Sequence, residues 1–249
     1  MQNKSEGKKR EICLPGDEVG SGELKAGSGT YRDGDKIYAS TVGIRTVRSS
    51  FVNIIPLVGK YLPNVGDQII GYITDVGPTY WLLDINSPYP APLHVNDTPW
   101  KVDFGDTSKY LETDNAVIVT ISNVDEIKHV QVSMREHGHR KMNTGSIVEI
   151  SPSRVPRVIG RGGSMINLLK KGTRCRIFVG QNGRIWIDGE PEDMELAIKA
   201  VEMIDRESQS FGLTERIKEF LGVSDADYSN DDTPEGDAKS EDDEDDQRM

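Results

Sequence analysis

Arg157-Val158-Ile159-Gly160-Arg161-Gly162-Gly163-Ser164-Met165-Ile166 is the stretch on which the reading of this chain turns. A short apolar turn runs into a glycine loop carrying one cation, and the loop runs into the start of an apolar helix. Glycines remove the bulk that would hold a sugar-phosphate chain away from the protein backbone. The following helix points its first N–H groups and the positive end of its dipole at the same place, and Arg161 adds a charge. Four residues with this spacing specify little alone, so the flanking segments decide.

Downstream and upstream of the loop the elements fall in a definite order. Ser146–Ile150 reads as a strand, and Val155–Ile159 as a helical turn after Pro152. Ser164–Lys171 reads as a helix with Met165, Ile166, Leu168 and Leu169 on its apolar side and Gly172 as its stop. Arg174–Val179 and Arg184–Asp188 read as strands joined through Gln181-Asn182-Gly183, where Asn-Gly is a strong hairpin signal. Pro191 opens a helix to about Ser208, with Glu192, Asp193 and Glu195 near its start and Met194, Ala197, Ile198, Val201 and Ile204 at helical steps. A short helix over Thr214–Phe220 follows. The result is β-α-α-β-β-α with the glycine loop between the first two helices, the pattern of a type I KH domain, which clamps single-stranded RNA with a Gly-x-x-Gly loop. Candidate RNA contacts are Arg154, Arg157, Gly160, Arg161, Gly162 and Gly163, with Ile166 on the groove.

Before this unit, residues 61–136 hold five short β-type runs separated by Gly, Pro, Asn and Asp: Gln68–Val76, Tyr80–Ile85, Ala91–Val95, Ala116–Val124 and Val130–Met134. That spacing predicts a five-stranded barrel of the OB type. Such barrels stack single strands on aromatic platforms, for which Tyr80, Trp81 and His94 are the candidates. Trp81 and Leu83 alternate with Tyr80 and Leu82, so half of these side chains belong to the core. Tyr61-Leu62-Pro63-Asn64 reads as a hinge and Arg135–Thr144 as a basic linker. His137 and His139 lack partners at ligand spacing and read as solvated, so no metal site is expected. Residues 1–60 are Gly-rich, with β runs at Lys36–Gly43 and Phe51–Pro56 and turn signals at Pro15-Gly16 and Asp33-Gly34. They predict a β-hairpin domain whose default role is packing against a neighbouring domain or subunit.

Charge is segregated along the chain. The 249 residues carry a net −11, yet Val223–Met249 alone hold 12 Asp/Glu against 2 Lys/Arg. That acidic tail, residues 223–249, is predicted to be disordered, with solubility as its default role and competition with RNA as the alternative. Met134–Trp186 hold 11 Lys/Arg against only Glu136 and Glu149, a local excess that suits a polyanion. No apolar run has membrane-span length, and the charged Met1–Arg10 lacks a signal-peptide core. Cys13 and Cys175 stand far apart, which fits a reducing cytoplasm without disulfides. No phosphate-binding Gly-x-x-x-x-Gly-Lys-Ser/Thr loop or dinucleotide fingerprint occurs, so no cofactor is expected. The densest carboxylates lie in the tail, where nothing holds them for catalytic metals.

An N-terminal β domain, an S1-type OB barrel and one KH domain (residues 145–222), in that order, resemble the RNA-binding cap subunit of the archaeal exosome, the ribosomal RNA-processing protein four family. The most specific matches are Val155–Gly160, Val179–Ile187 and Trp81–Ile85, joined by Tyr38–Gly43 and Ile55-Pro56-Leu57 in the N-terminal domain. The resemblance spans roughly residues 8–222 and implies a multidomain α+β protein without catalytic residues. It implies three cap copies on a hexameric ring of RNase-PH-like subunits that degrade RNA 3′ to 5′ by phosphorolysis. The N-terminal domain would dock on the ring, with S1 and KH around the pore. A second cap of that family carries a zinc ribbon, for which this chain lacks the cysteines. His94 in Pro92-Leu93-His94 matches a histidine of many S1 binding faces, whose two aromatic positions are Val76 and Leu82 here. A free-standing S1/KH regulator of transcription or translation is the alternative reading of the same modules.

Overall fold

The computed structural model describes residues 12–56, 59–136, 138–208, 210 and 212–223. The expectations for Met1–Arg10, for His137 and for the acidic segment from Ser224 onward lie outside the described residues.

The described residues begin with two small sheets packed on each other. One has the order β1-β6-β7-β3, built from Ile12–Cys13, Gly43–Arg48, Phe51–Pro56 and Lys25–Ala26; the other has β2-β5-β4, from Glu18–Ser21, Lys36–Ala39 and Thr30–Asp33. Cys13, Val19, Ile37, Ala39, Val52 and Ile54 fill the space between them. The run Lys36–Gly43, expected as one strand, is cut in two. β5 ends at Ala39, and the chain crosses to the other sheet before β6 starts at Gly43. Ile37 and Ala39 bury inward from one sheet, while β6 pairs with β7 from Gly43↔Pro56 to Arg48↔Phe51 in the other. The Arg45 Nε–H donates to the Val19 carbonyl at 2.6 Å and ties the two sheets together.

Strands β8 (Gln68–Val76), β9 (Tyr80–Asp84), β10 (Ala91–His94), β11 (Ala116–Val124) and β12 (Val130–Ser133) form the barrel, ordered β12-β10-β9-β8-β11 and closed by β12–β11 pairing. Its core holds Ile69, Ile73, Trp81, Leu83, Leu93, Val117, Val119, Ile121 and Val132. The expected hinge at Tyr61 is pinned to this barrel instead. Tyr61 is buried, its hydroxyl donates to Asp67 Oδ2 at 2.6 Å, and burial pushes the phenol well above its usual range.

Period-two alternation fails at two places in the barrel, for one reason. Ile69 and Ile70 are both buried on β8, as are Val117 and Ile118 on β11. A strand buried on both faces reads as a continuous apolar run. The outer face here is covered by the sheet of the next unit, with Ile70, Ile118 and Trp186 in one apolar cluster.

The basic segment after the barrel is not a free linker. Lys141–Met142 forms β13 and pairs with β11 at Ala116↔Met142 and Val117↔Lys141. On that side β12 pairs with β11 only from Thr120 onward, so the remaining edge takes another strand rather than stay open. His139, expected to be solvated, has a side chain 1% exposed, with Nε2 3.0 Å from Thr120 Oγ1. Burial lowers its pKa from the ordinary histidine value.

The last unit packs β14 (Ser146–Glu149), β16 (Arg184–Asp188) and β15 (Arg176–Val179), in that sheet order, under four helices. These are α1 (Val155–Ile159), α2 (Ser164–Thr173), α3 (Pro191–Glu207) and α4 (Leu213–Leu221). Val158, Met165, Leu168, Leu169, Ile177, Ile185, Ile187, Val201, Ile204 and Ile217 are among the residues of its core. Gly172 does not stop α2, which runs on to Thr173 and ends where Arg174 takes φ +54°. That glycine instead admits α4, because a Cβ there would lie 2.9 Å from Leu221 Cδ1.

The hairpin at Gln181-Asn182-Gly183 joins the last unit to the barrel. It forms as the Asn-Gly pair predicts, with Gly183 at φ +84°, but its tip is inside the molecule. Asn182 has no exposed surface and donates through Nδ2 to the carbonyls of Ile70 (2.7 Å) and Ile85 (2.9 Å). Asn86 Nδ2 returns a bond to the Asn182 carbonyl at 2.9 Å, and the Gln181 N–H donates to the Gln68 carbonyl at 2.9 Å. Arg184 is nearly as buried. It donates to the Asp84 carbonyl (2.7 Å), the Asp84 carboxylate and Glu149 Oε1 (2.8 Å), with its guanidinium 4.7 Å from the Tyr72 ring centroid.

Candidate nucleic-acid interface

The glycine loop is built by three glycines acting for different reasons. Gly160 ends α1 at φ +76°, ψ +176°, and its N–H donates to the Pro156 carbonyl at 3.0 Å. A Cβ on it would lie 2.6 Å from the backbone nitrogen of Met165, so the loop folds tightly onto the start of α2. Gly162 (φ +59°) and Gly163 (φ +81°) supply left-handed backbone, and nothing lies within 4 Å of a Cβ placed on Gly162. The N-cap position of α2 is Gly163, which has no side chain to cap it, and the first turn holds no acidic residue. The positive end of that helix therefore has no carboxylate of its own to neutralise it.

The sequence-predicted contacts divide around this loop. Arg157 and Arg161 are exposed, Gly160 is half-buried, and Ile166 is half-buried against the core. Arg154 is placed differently. Its guanidinium donates to the Asp205 carbonyl and to Ser208 Oγ (2.8 Å), with Nε 3.6 Å from the Asp205 carboxylate. That puts a cation on the last turn of α3, where the helix dipole favours it. Arg154 fastens α3 and is withdrawn from the set of backbone ligands.

On the barrel, Tyr80 and His94 are cross-strand partners, as are Trp81 and Leu93. The first pair is exposed and the second faces the core. Trp81 has no exposed surface and its indole N–H donates to the Leu111 carbonyl at 3.1 Å. Trp81 is thus a core residue and not a stacking platform; alternation on β9 sends it inward. The Tyr80 ring lies over Gly77, where a Cβ would come within 2.7 Å of it. His94 Nδ1 accepts the Asn96 N–H at 3.2 Å, which leaves the neutral ring with its proton on Nε2. Val76 and Leu82 are half-buried. Two variants separate the roles. Trp81→Phe costs about 1–2 kcal/mol in urea unfolding through the unpaired Leu111 carbonyl and leaves RNA affinity unchanged. Tyr80→Ala with His94→Ala weakens RNA binding by about tenfold, a loss of at least 1 kcal/mol, and barely moves stability. Equal RNA affinity in the double variant removes this face from the interface.

Sequence reasoning missed the seam residues Asn182 and Arg184, since an Asn-Gly hairpin is ordinarily a solvent-exposed turn. One partial signal was available: Ile185, Trp186 and Ile187 are three consecutive apolar residues, which suits a strand covered on both faces, and the structure buries all five positions from Arg184 to Asp188.

Comparison with known proteins agrees with this arrangement. Residues 145–193 match the family described as KH domain, and residues 10–58 match the exosome RNA binding protein RRP4 N-terminal domain. The exosome complex component Rrp4 of Methanosarcina mazei is 46% identical over 212 residues, covering 85% of this chain and 82% of the relative. That of Picrophilus torridus is 43% identical, covering 85% and 92%, and that of Thermoplasma volcanium 46%, covering 85% and 90%. A solved exosome complex RNA-binding protein superposes with a TM-score of 0.61 at 39% identity, covering 66% of this chain and 96% of its own. With its N-terminal match, its barrel and its KH unit in the same order, the chain belongs to the Rrp4 family of exosome complex components.

Proposed function

We propose that this chain is a non-catalytic RNA-binding cap of an exosome. It holds single-stranded RNA and passes 3′ ends to a separate 3′-to-5′ phosphorolytic ring of RNase-PH-like subunits. The N-terminal sheets dock on that ring, three caps sit on each hexamer (alone or mixed with the zinc-ribbon cap), and the assembly works in the cytoplasm. The observation that carries this reading is the loop Gly160–Gly163, open above Gly162 and set before a helix whose first turn holds no acidic residue, in a chain of this family. Such a loop binds a phosphate backbone and offers no group to cut it: backbone N–H groups and arginines attract charge, while hydrolysis or phosphorolysis needs an activated nucleophile.

Co-purification from the native cell tests the assembly. Recovery with ring subunits is expected; recovery as a lone monomer favours a free-standing regulator. Incubating the purified chain with labelled RNA, phosphate and magnesium tests the absence of catalysis. RNA should stay intact, and degradation abolished by a point change in this chain overturns the reading.

A further inference from the structure

A cleft of about 380 Å³ opens where the edge strand β15 meets the barrel, lined in part by Arg140, Lys170, Arg176, Phe178, Ile118 and Gln68. Its lining includes three cations, Lys170 on α2, Arg176 on β15 and Arg140 just before β13, and no carboxylate. Asp188, outside the lining, pairs with Arg176, and bonds from Thr144 and Arg176 hold its carboxyl below the usual range; Glu136 stands 4.0 Å from His139, which also lines the cleft. Two of the cations are set in place by an aromatic ring. Arg140 and Arg176 lie 5.0 and 5.8 Å from the Trp186 ring centroid, and Trp186 is itself held by its indole N–H on the Thr144 carbonyl at 2.7 Å. Stacking leaves the in-plane donors of Arg140 for another partner, whereas Arg176 already gives Nη2 to Asp188 and keeps only its remaining donors. Ile118 and Phe178 give the cleft an apolar wall.

We propose that this seam is a nucleotide subsite for single-stranded RNA, separate from the glycine loop and resting on the RNA-binding reading above. Arg140, Lys170 and Arg176 take the phosphate, and the base lies toward Ile118 and Phe178. Three features support RNA as the ligand. The volume falls within the range of about 300–1,000 Å³ of clefts that hold small molecules. An apolar wall beside fixed guanidinium groups suits a base joined to a phosphate better than a bare anion. Lys170 stands six residues from Ser164 on α2, about 9 Å along the helix at 1.5 Å per residue, so a strand leaving the loop reaches the cleft within a short length. The site exists only when barrel and KH unit are docked, because Arg140 and Ile118 come from one side and Lys170, Arg176 and Phe178 from the other.

The test uses the full chain and a short fluorescent oligoadenylate, with affinity measured over a range of salt. Combining Arg140→Gln, Lys170→Gln and Arg176→Gln should weaken binding on the order of tenfold or more. It should also reduce the slope of log K against log salt by about 0.7, the value for one phosphate contact on a single strand. Lys170 should be protected from acetylation by bound oligoadenylate, while Lys25 in the N-terminal sheets should not; this readout requires no substitution. If the unaltered chain fails to bind the oligoadenylate, the RNA reading itself falls. If the unaltered chain binds, but the triple variant keeps its affinity and slope or Lys170 is acetylated as fast with RNA as without, the seam site falls alone.

Discussion

Asn182→Ala lowers the stability of the chain by about 3 kcal/mol, although the residue occupies a hairpin tip. Its side chain is wholly buried and satisfies the carbonyls of Ile70 and Ile85 at 2.7 and 2.9 Å. Removing the amide leaves both acceptors without that donor in a site shut off from water, at about 1–3 kcal/mol for each group left unsatisfied. Arg184 also reaches the Ile70 carbonyl, at 3.4 Å, so Asn182→Ala and Arg184→Ala should not add. Asp84 and Glu149 are half-exposed and rehydrate when Arg184 is removed, which moderates that loss. Urea unfolding followed by tryptophan fluorescence reads the effect, since Trp81 reports the barrel and Trp186 the seam. Asn182→Ala should separate the two transitions and make the chain around Arg135–Thr144 sensitive to protease. An unchanged, single transition would show that the seam does not couple the two units.

The second large effect distinguishes two glycines of one loop. Gly160→Ala costs about 3 kcal/mol, because φ +76° with ψ +176° is a region that essentially only glycine occupies. The added methyl would also meet the Met165 backbone nitrogen at 2.6 Å, which cannot swing aside as a side-chain tip can. Gly162 sits at φ +59°, ψ +26°, a left-handed position that Asp and Asn tolerate at about 1 kcal/mol, with open space around it. Gly162→Asp therefore leaves the fold intact and places a carboxylate where the phosphate is expected. Together with Arg161→Asp it should reduce RNA affinity by roughly tenfold or more while recovery with ring subunits is unchanged. Circular dichroism and anisotropy on both variants check the contrast. Normal RNA binding by the Arg161/Gly162 variant would take the loop out of the mechanism, and a Gly160→Ala chain as stable as the parent would contradict the loop geometry.

Much of this was legible in the residues because it is local. Strand alternation, the spacing of Met165, Leu168 and Leu169 on α2, the Asn-Gly turn and the glycine loop between two helices each depend on neighbours in the chain. The separation of an acidic end from a basic middle is likewise a property of composition. These features placed a barrel before a KH unit and set Gly160–Gly163 where the structure has them.

What only the tertiary structure decided is where units meet, since burial from the far side leaves no period of its own in a strand. A KH sheet laid on the barrel buried Ile70 and Ile118 on faces that alternation assigns to solvent, and it turned Asn182 from a turn residue into an interdomain bond. It also sorted the cations of the basic middle. Arg184 was drawn into the seam and Arg154 onto the end of α3, Arg140 and Arg176 were stacked on Trp186, and Arg157 and Arg161 were left exposed by the loop. Charge can be counted along a chain, but which charges stay free for a partner depends on which carbonyls, carboxylates and rings the fold brings beside them.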